Sequence, residues 1–129
     1  MSINNERVGF DRGWIVGFIE SEGVFTTNTA AITRKTKSGV KKYRYVNPAF
    51  YLVSGDQAAL ETARGLLRMG KINRHGDIFH LDIRRKGEAV RLVALLQGKL
   101  KSEFRRRQFD SWATRVMEWK TRAWGHGRV

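Results

Sequence analysis

The sequence predicts an α+β fold in which helices cover one face of a four-stranded antiparallel sheet. Segments with apolar residues at intervals of three and four alternate with segments rich in Thr, Val, Ile and Tyr. A short turn containing glycine separates the two strands of each predicted pair. The order is helix, hairpin, helix, hairpin, helix, helix. The 129 residues are enough for a single domain with one core.

The first predicted helix begins at Asp11, a favourable N-cap, and ends at Glu22, where Gly23 is expected to stop it. Residues 1–10 would then form an N-terminal arm. One helix face is apolar, and a second face carries only small residues, which lets another backbone approach closely. The apolar face comprises Trp14, Ile15, Phe18 and Ile19, and the small-residue face comprises Gly13, Gly17 and Ser21.

Two hairpins and three further helices follow. The first hairpin spans about residues 24–53, and Pro48 within it predicts an edge strand or a bulge. The helices are predicted at about 54–70, capped by Ser54 or Asp56 and ended by Gly70, then at 86–98 and 102–119, and residues 120–129 form a tail. The apolar stripe of the last helix comprises Phe104, Phe109, Trp112, Val116 and Trp119.

The net charge is the strongest global signal. Twenty-five Lys and Arg against twelve Asp and Glu give +13, which favours a polyanionic partner, with nucleic acid first. No apolar run could span a bilayer, so no membrane partner is expected. The absence of cysteine excludes disulfides and thiolate sites, and it fits an intracellular protein, in the cytoplasm of a prokaryote or in an organelle.

The first hairpin is basic and free of acids. Between Gly23 and Gly55 there is no Asp or Glu. Strand-forming preference and a soluble edge would explain the Thr, Tyr and Lys residues but not the missing acids. The major groove admits a two-stranded ribbon, so DNA contact is predicted. The outward face is expected to carry Thr26, Asn28, Arg34, Tyr45, Asn47 and Tyr51, and the basic residues are Arg34, Lys35, Lys37, Lys41, Lys42 and Arg44.

The second hairpin alternates in the same way. Phe79, Leu81 and Ile83 are expected to point away from His80, Asp82 and Arg84. Predicted DNA contacts in this hairpin are Lys71, Asn73, His75, His80, Asp82 and Arg84. The three histidines of the chain are His75, His80 and His126, of which the last lies in the tail, and they do not have a metal-ligand spacing. Arg105, Arg106 and Arg107 form a second basic cluster, either a solvated face or a phosphate contact.

Glu20 and Glu22 lie at a helix C-terminus, where the helix dipole disfavours acids. A divalent cation would compensate them, and carboxylate and carbonyl oxygens suit Mg²⁺. If the glycine face packs on a second copy, two Glu22 carboxylates meet near the symmetry axis. Two shared metals could then activate water and stabilise a leaving oxygen. The alternative is a pair of solvated acids at a helix end.

Two segments resemble the LAGLIDADG homing endonucleases. "IVGFIESEG", residues 15–23, has the family's order of apolar, glycine and acidic positions, and "LKSEFRRRQFDSW", residues 100–112, resembles a later family segment. The resemblance covers about Asp11 to Trp119. The motif occurs once, which in this family implies a homodimer.

The resemblance implies a role for each matching residue. Glu22 matches the metal ligand, and the Ser21 carbonyl would complete the coordination of Mg²⁺, in a site that Mn²⁺ or Ca²⁺ can also occupy. Lys101 matches a catalytic residue that stabilises charge or orders water, and Glu20 matches an acid with a structural role. Gly17 and Ser21 match the interface between two helices. The saddle-shaped sheet would bind a long, near-palindromic double-stranded DNA site, which is cut with a stagger during intron homing.

The sequence departs from the family pattern at several positions, and two other functions stay open. Both acids are Glu, and Ser54 and Ala58 fall where the family often has a polar amide and a basic residue, so the accessory active-site residues stay open. One alternative is a non-cleaving protein of the same fold, a group I intron RNA maturase or a regulator, for which group I intron RNA would be a partner. Another is a basic structural protein of a ribonucleoprotein. Glu22 and Lys101 favour the enzyme.

Overall fold

A computed structural model describes residues 3–122, and the predicted α+β order is confirmed. No helix within this range is long and apolar enough to cross a membrane. Residues 123–129, which include His126, lie outside it. The elements are α1 (Ile3–Glu22), β1 (Gly23–Thr36), β2 (Gly39–Ser54), α2 (Gln57–Leu67), β3 (Lys71–His75), β4 (Ile78–Ile83), α3 (Lys86–Leu96) and α4 (Glu103–Thr121).

The four strands form one antiparallel sheet in the order β1-β2-β4-β3. The β1–β2 register runs without interruption from the pair Gly23–Leu52 to the pair Thr36–Gly39, so Pro48 is not at a bulge. β2 pairs with β4 only from Phe50 onward. The part of β2 that contains Pro48 therefore has an open second edge, as its position predicted.

One face of the sheet packs against the helices. Phe50, Leu52, Leu81 and Ile83 are fully buried there, and they contact one apolar core formed with all four helices. Trp112 of α4 is also buried, and its indole Nε1–H donates to the carbonyl oxygens of Thr26 at 3.1 Å and Ala49 at 3.0 Å. This shared bond attaches α4 to the first hairpin, whose distal half extends beyond the helices as an exposed ribbon.

Three local predictions are wrong. α1 begins at Ile3, so Asp11 lies inside the helix and does not cap it, and residues 3–10 are helical. Glycines lower helix propensity without stopping a helix, and Glu6 in the first turn favours this earlier start. Phe104 is 67% exposed and lies outside the buried stripe of α4. α2 ends at Leu67, before Gly70, because Arg68 takes the left-handed conformation with φ 56°.

Candidate functional site

The junction between α1 and β1 places Glu22 directly before the first strand of the sheet. Gly23 follows it in the chain, and a Cβ added at Gly23 would lie 2.5 Å from the carbonyl oxygen of Ile19 and 2.8 Å from the Phe50 ring. The predicted helix stop is therefore confirmed. Glycine is required at this position because a side chain has no room there, and Gly23 is not among the glycines with a left-handed backbone.

Glu20 joins the end of α1 to the start of α4. Its Oε2 accepts a hydrogen bond from the backbone N–H of Lys101 and another, at 2.8 Å, from the backbone N–H of Ser102. Ser102 is the N-cap of α4, and its side chain accepts from the N–H of Arg105. An anion at a helix N-terminus is stabilised by unpaired N–H groups and by the helix dipole. Glu20 is thus compensated by protein groups.

Arg105 satisfies the carbonyl groups at the end of α1. Its guanidinium donates to the Gly23 carbonyl at 2.9 Å, to the Ser21 carbonyl at 3.1 Å and to Gln108 Oε1 at 3.1 Å. A cation at a helix C-terminus is favourable because the free carbonyls carry partial negative charge. Sequence reasoning did not single out Arg105, because it lies in a run of three arginines of which only this one turns toward α1.

The other two arginines of the run behave differently. Arg107 donates to Glu103 at 2.6 Å across one helical turn, in an exposed ion pair of the kind that contributes little stability. Arg106 is exposed. Of the predicted second basic cluster, Arg106 and Arg107 therefore lie on a solvated face, and only Arg105 turns toward α1.

Glu22 remains the exposed acid of this site. Its Oε1 accepts from the Ser21 hydroxyl at 3.2 Å. Lys101, also exposed, is held at the same end of α1 through the Glu20 contact. Within residues 3–122 no cluster of three metal-ligating side chains occurs. A hard cation at Glu22 would need further oxygens from the Ser21 carbonyl, from water, from a phosphate or from a second Glu22. The Ser21 carbonyl accepts one hydrogen bond from Arg105 and keeps a second lone pair.

A shallow groove runs along α1 and ends at this acid. Gly13 and Gly17 line its floor, and added Cβ atoms would find no atom within 4 Å at either position. Trp14 and Phe18 flank it, half-buried and in edge-to-face contact at 5.2 Å between ring centroids. The small-residue face predicted from the sequence is therefore open, and nothing within the described chain covers it.

The sheet presents a polar face on the side away from the helices. Phe25 and Phe50 pack together on the helix side, so their neighbours along each strand point outward. Strand alternation and register thus place the following predicted residues on one outward face: Thr26, Asn28, Arg34, Lys41, Tyr45, Asn47, Tyr51, Lys71, Asn73, His75, His80 and Asp82.

Three predicted DNA contacts lie on the opposite side of the ribbon. Lys35, Lys42 and Arg44 follow the alternation of the helix-facing residues, although all three are exposed because the hairpin extends past the helices there. Lys37 lies in the turn between β1 and β2. The register thus divides the six basic residues into two on the outward face, three on the opposite side and one in the turn.

The second half of the outward face contains a row of rings beside an acid. Tyr51 and His80 have ring centroids 5.9 Å apart, and His80 and His75 are 4.4 Å apart. Arg84 follows β4 and extends over the Tyr51 ring, with its guanidinium carbon 5.3 Å from the ring centroid. Asp82 lies between these groups and is the buried acid of the face.

The accessory positions left open by the sequence are also placed. Ser54 accepts from the backbone N–H of Asp56 at 3.0 Å, and Asp56 caps α2 by accepting from Ala58 and Ala59. Ser54 therefore supports the entry to α2. Ala58 is exposed in the first turn of that helix.

Comparison with known proteins supports the fold. No protein-family model and no curated protein matches the sequence. Among solved structures, the homing endonuclease I-TnaI is similar with a TM-score of 0.67 and 22% identity, over 84% of this chain and 73% of that chain. The LAGLIDADG meganuclease I-AabMI bound to uncleaved DNA gives a TM-score of 0.68 and 25% identity, over 84% of this chain but 37% of the meganuclease.

Two further similar structures, both of one protein, were determined with DNA targets in the presence of a divalent metal. The homing endonuclease I-CvuI was solved with DNA targets in the presence of Mg or Ca, and it matches with a TM-score of 0.64 and 11% identity over 89% of this chain and 71% of that chain. The predicted resemblance is confirmed at the level of fold.

Proposed function

We propose that this chain, which has the fold of the LAGLIDADG homing endonucleases, is one half of a homodimeric, metal-dependent, site-specific DNA endonuclease. The observation that carries the proposal is the Glu20 contact. It holds Lys101 beside the end of α1, where Glu22 is exposed, immediately before the outward face of the sheet. A chain with only a binding role would need the basic sheet but not this pairing of an exposed acid and a lysine.

Two copies complete the site. The open groove along α1 accepts the same groove of a second chain, because glycines let two helices approach closely. A two-fold axis along this contact brings two Glu22 carboxylates together and doubles the DNA-reading sheet. A long, near-palindromic site is the DNA that such an assembly would match.

The chemistry follows from the residues at the end of α1. Glu22 would hold the divalent cation, which when bound supplies an activated water and stabilises the leaving oxygen. Lys101 would stabilise negative charge on the phosphate, and it keeps its place because its backbone is held by Glu20. Arg105 fixes the carbonyls of Ser21 and Gly23, so that Glu22 projects from a rigid helix end. One such centre on each strand of the DNA would give a staggered double-strand break.

The test separates cleavage from binding. Binding sites are selected from a randomised duplex library, and the selected site is then incubated with the protein and Mg²⁺. Glu22→Gln should abolish cleavage and leave the affinity for the site nearly unchanged, because the sheet does the binding. Glu61→Gln, an exposed acid on α2, is the matched control and should cut normally.

Two outcomes would contradict the proposal. Cleavage by Glu22→Gln at the wild-type rate removes Glu22 from the reaction. Tight, specific binding by the wild-type chain with no cleavage in either Mg²⁺ or Mn²⁺ would favour the non-cleaving alternative, a regulator or an intron RNA maturase.

A further inference from the structure

A buried acid lies in the middle of the basic outward face. The Asp82 side chain is 6% exposed, and its Oδ1 is buried without a hydrogen-bond partner. It is the only buried charged residue within the part of the chain whose side chains are described. Burying a carboxylate is costly, and an acid on a surface that binds a polyanion repels the phosphates. Its presence there calls for a specific role.

Asp82 holds two neighbouring side chains through its second oxygen. Oδ2 accepts from Asn73 Nδ2 at 2.6 Å and forms an ion pair with an Arg84 guanidinium nitrogen at 3.6 Å. Because an ionised carboxylate only accepts hydrogen bonds, the Asn73 amide must turn its NH₂ group toward Asp82. Tyr51 is directly opposite Asp82 on the neighbouring strand. Three strands thus contribute to one cluster.

Arg84 is fixed in direction while its donors stay free. Its guanidinium lies over the Tyr51 ring at 5.3 Å and beside Asp82, and half of its side chain is exposed. The 3.6 Å separation is an ion pair and too long for a hydrogen bond. Within residues 3–122 the structure shows no hydrogen bond donated by Arg84. A flat, oriented group with unused donors is what bidentate recognition requires.

We infer that Tyr51, Asp82 and Arg84 form a preorganised unit that reads a guanine in the major groove. Arg84 is the specificity-determining residue, since an arginine fork matches guanine O6 and N7. Asp82 is a positioning residue that acts through Arg84. The inference rests on the proposed function, because it requires the outward face to lie against duplex DNA.

The cluster suits a base better than a phosphate. An arginine that serves only to attract phosphate gains nothing from a neighbouring carboxylate, which cancels its charge. A carboxylate beneath the guanidinium lowers non-specific attraction and fixes the direction of the donors. Both effects favour discrimination between bases over general affinity.

The test is a binding selection with a fully randomised DNA duplex, repeated for four variants. Wild-type protein should enrich guanine at one position of each half-site. Arg84→Ala should lower that preference by about tenfold or more, Arg84→Lys should lower it by less, and both should leave the other positions unchanged. Lysine keeps the charge at this exposed position but lacks the fork. Arg85→Ala, an exposed arginine next in the chain, removes an equal charge and should leave the base preferences unaltered.

Asp82→Asn tests whether Asp82 positions Arg84 or only stabilises the sheet, because the two roles predict different changes in DNA binding. It should tighten binding to random-sequence duplex at low salt, because a negative charge beneath the DNA-facing surface is removed. It should also weaken the guanine preference, because Arg84 loses the ion pair that orients it. Unchanged preferences in both Arg84 variants would overturn the inference, and Asp82→Asn with the full guanine preference would remove Asp82 from it. Failure of the wild-type chain to enrich any site would instead overturn the proposed function itself.

Discussion

Glu20 accepts a hydrogen bond from the backbone N–H of Ser102 at 2.8 Å, across a separation of 82 residues in the chain. This contact joins the C-terminus of α1 to the N-terminus of α4, two helix ends of opposite partial charge. The acid that is not expected to bind metal therefore shapes the site, because it fixes the backbone that carries Lys101. The two acids of the motif have different surroundings, because only Glu22 is left exposed.

Glu20→Ala should lower both stability and cleavage. The variant loses two hydrogen bonds to the N-terminus of α4, and the free energy of unfolding should fall by about 1–2 kcal/mol, measured by urea denaturation. The cleavage rate should fall as well, because Lys101 loses its fixed position, whereas DNA affinity should be nearly unchanged. Glu118→Ala, an exposed acid on α4, is the control. Equal cleavage rates for Glu20→Ala and wild type would show that the Glu20 contact is not needed to position Lys101.

Arg105→Ala should destabilise the end of α1. Three hydrogen bonds from the guanidinium are lost. Two of them are exposed, so water replaces them in part, and we expect the free energy of unfolding to fall by about 2–3 kcal/mol, as for one charged hydrogen bond at full strength. Arg105→Lys keeps the charge but lacks the guanidinium fork that contacts both carbonyls. Its free energy of unfolding should therefore lie between those of wild type and Arg105→Ala. Arg106→Ala is the matched control, and a loss as large as that of Arg105→Ala would contradict this account.

Much of the fold could be predicted because its signals are local. Alternation in polarity gave the outward face of both hairpins, including the positions of Tyr51, His80 and Asp82, and this prediction needed no knowledge of the register. The start of α1 was mistaken because Asp11 has the chemistry of a cap, while the residues before it have no strong helix signal. Propensity is a weak guide where glycines and polar residues mix.

The contacts of the site could not be predicted in the same way. The Glu20–Ser102 and Arg105–Ser21 bonds join residues more than 80 positions apart, and no local pattern encodes which arginine of three turns inward. The Asp82 cluster likewise depends on the pairing of β2, β4 and β3. The family resemblance named Glu22 and Lys101 but gave no role to Arg105.

Gly17→Leu should block assembly without unfolding the chain. No atom lies within 4 Å of a Cβ at Gly17, so the added side chain meets solvent in one chain and a second helix in the dimer. Stability of the isolated chain should stay within about 0.5 kcal/mol, while light scattering should show a monomer of 14.9 kDa in place of a dimer. Gly65→Leu, an exposed and open position on α2, should remain dimeric. A dimeric Gly17→Leu variant would show that the interface lies elsewhere.

Lys41 and Lys42 point to opposite faces of the first hairpin, so their variants test which face contacts DNA. Both are exposed lysines, but Lys41 pairs with Arg34 on the outward face and Lys42 lies on the other side. Lys41→Ala should reduce the slope of log K against log salt for DNA binding by about one, the value expected for one lost phosphate contact. Lys42→Ala should change the slope less if only the outward face lies in the groove. If both variants lower the slope equally, both faces of the hairpin lie near phosphates. Contact through the outward face alone would lower the slope for Lys41→Ala and not for Lys42→Ala, because the two side chains point in opposite directions.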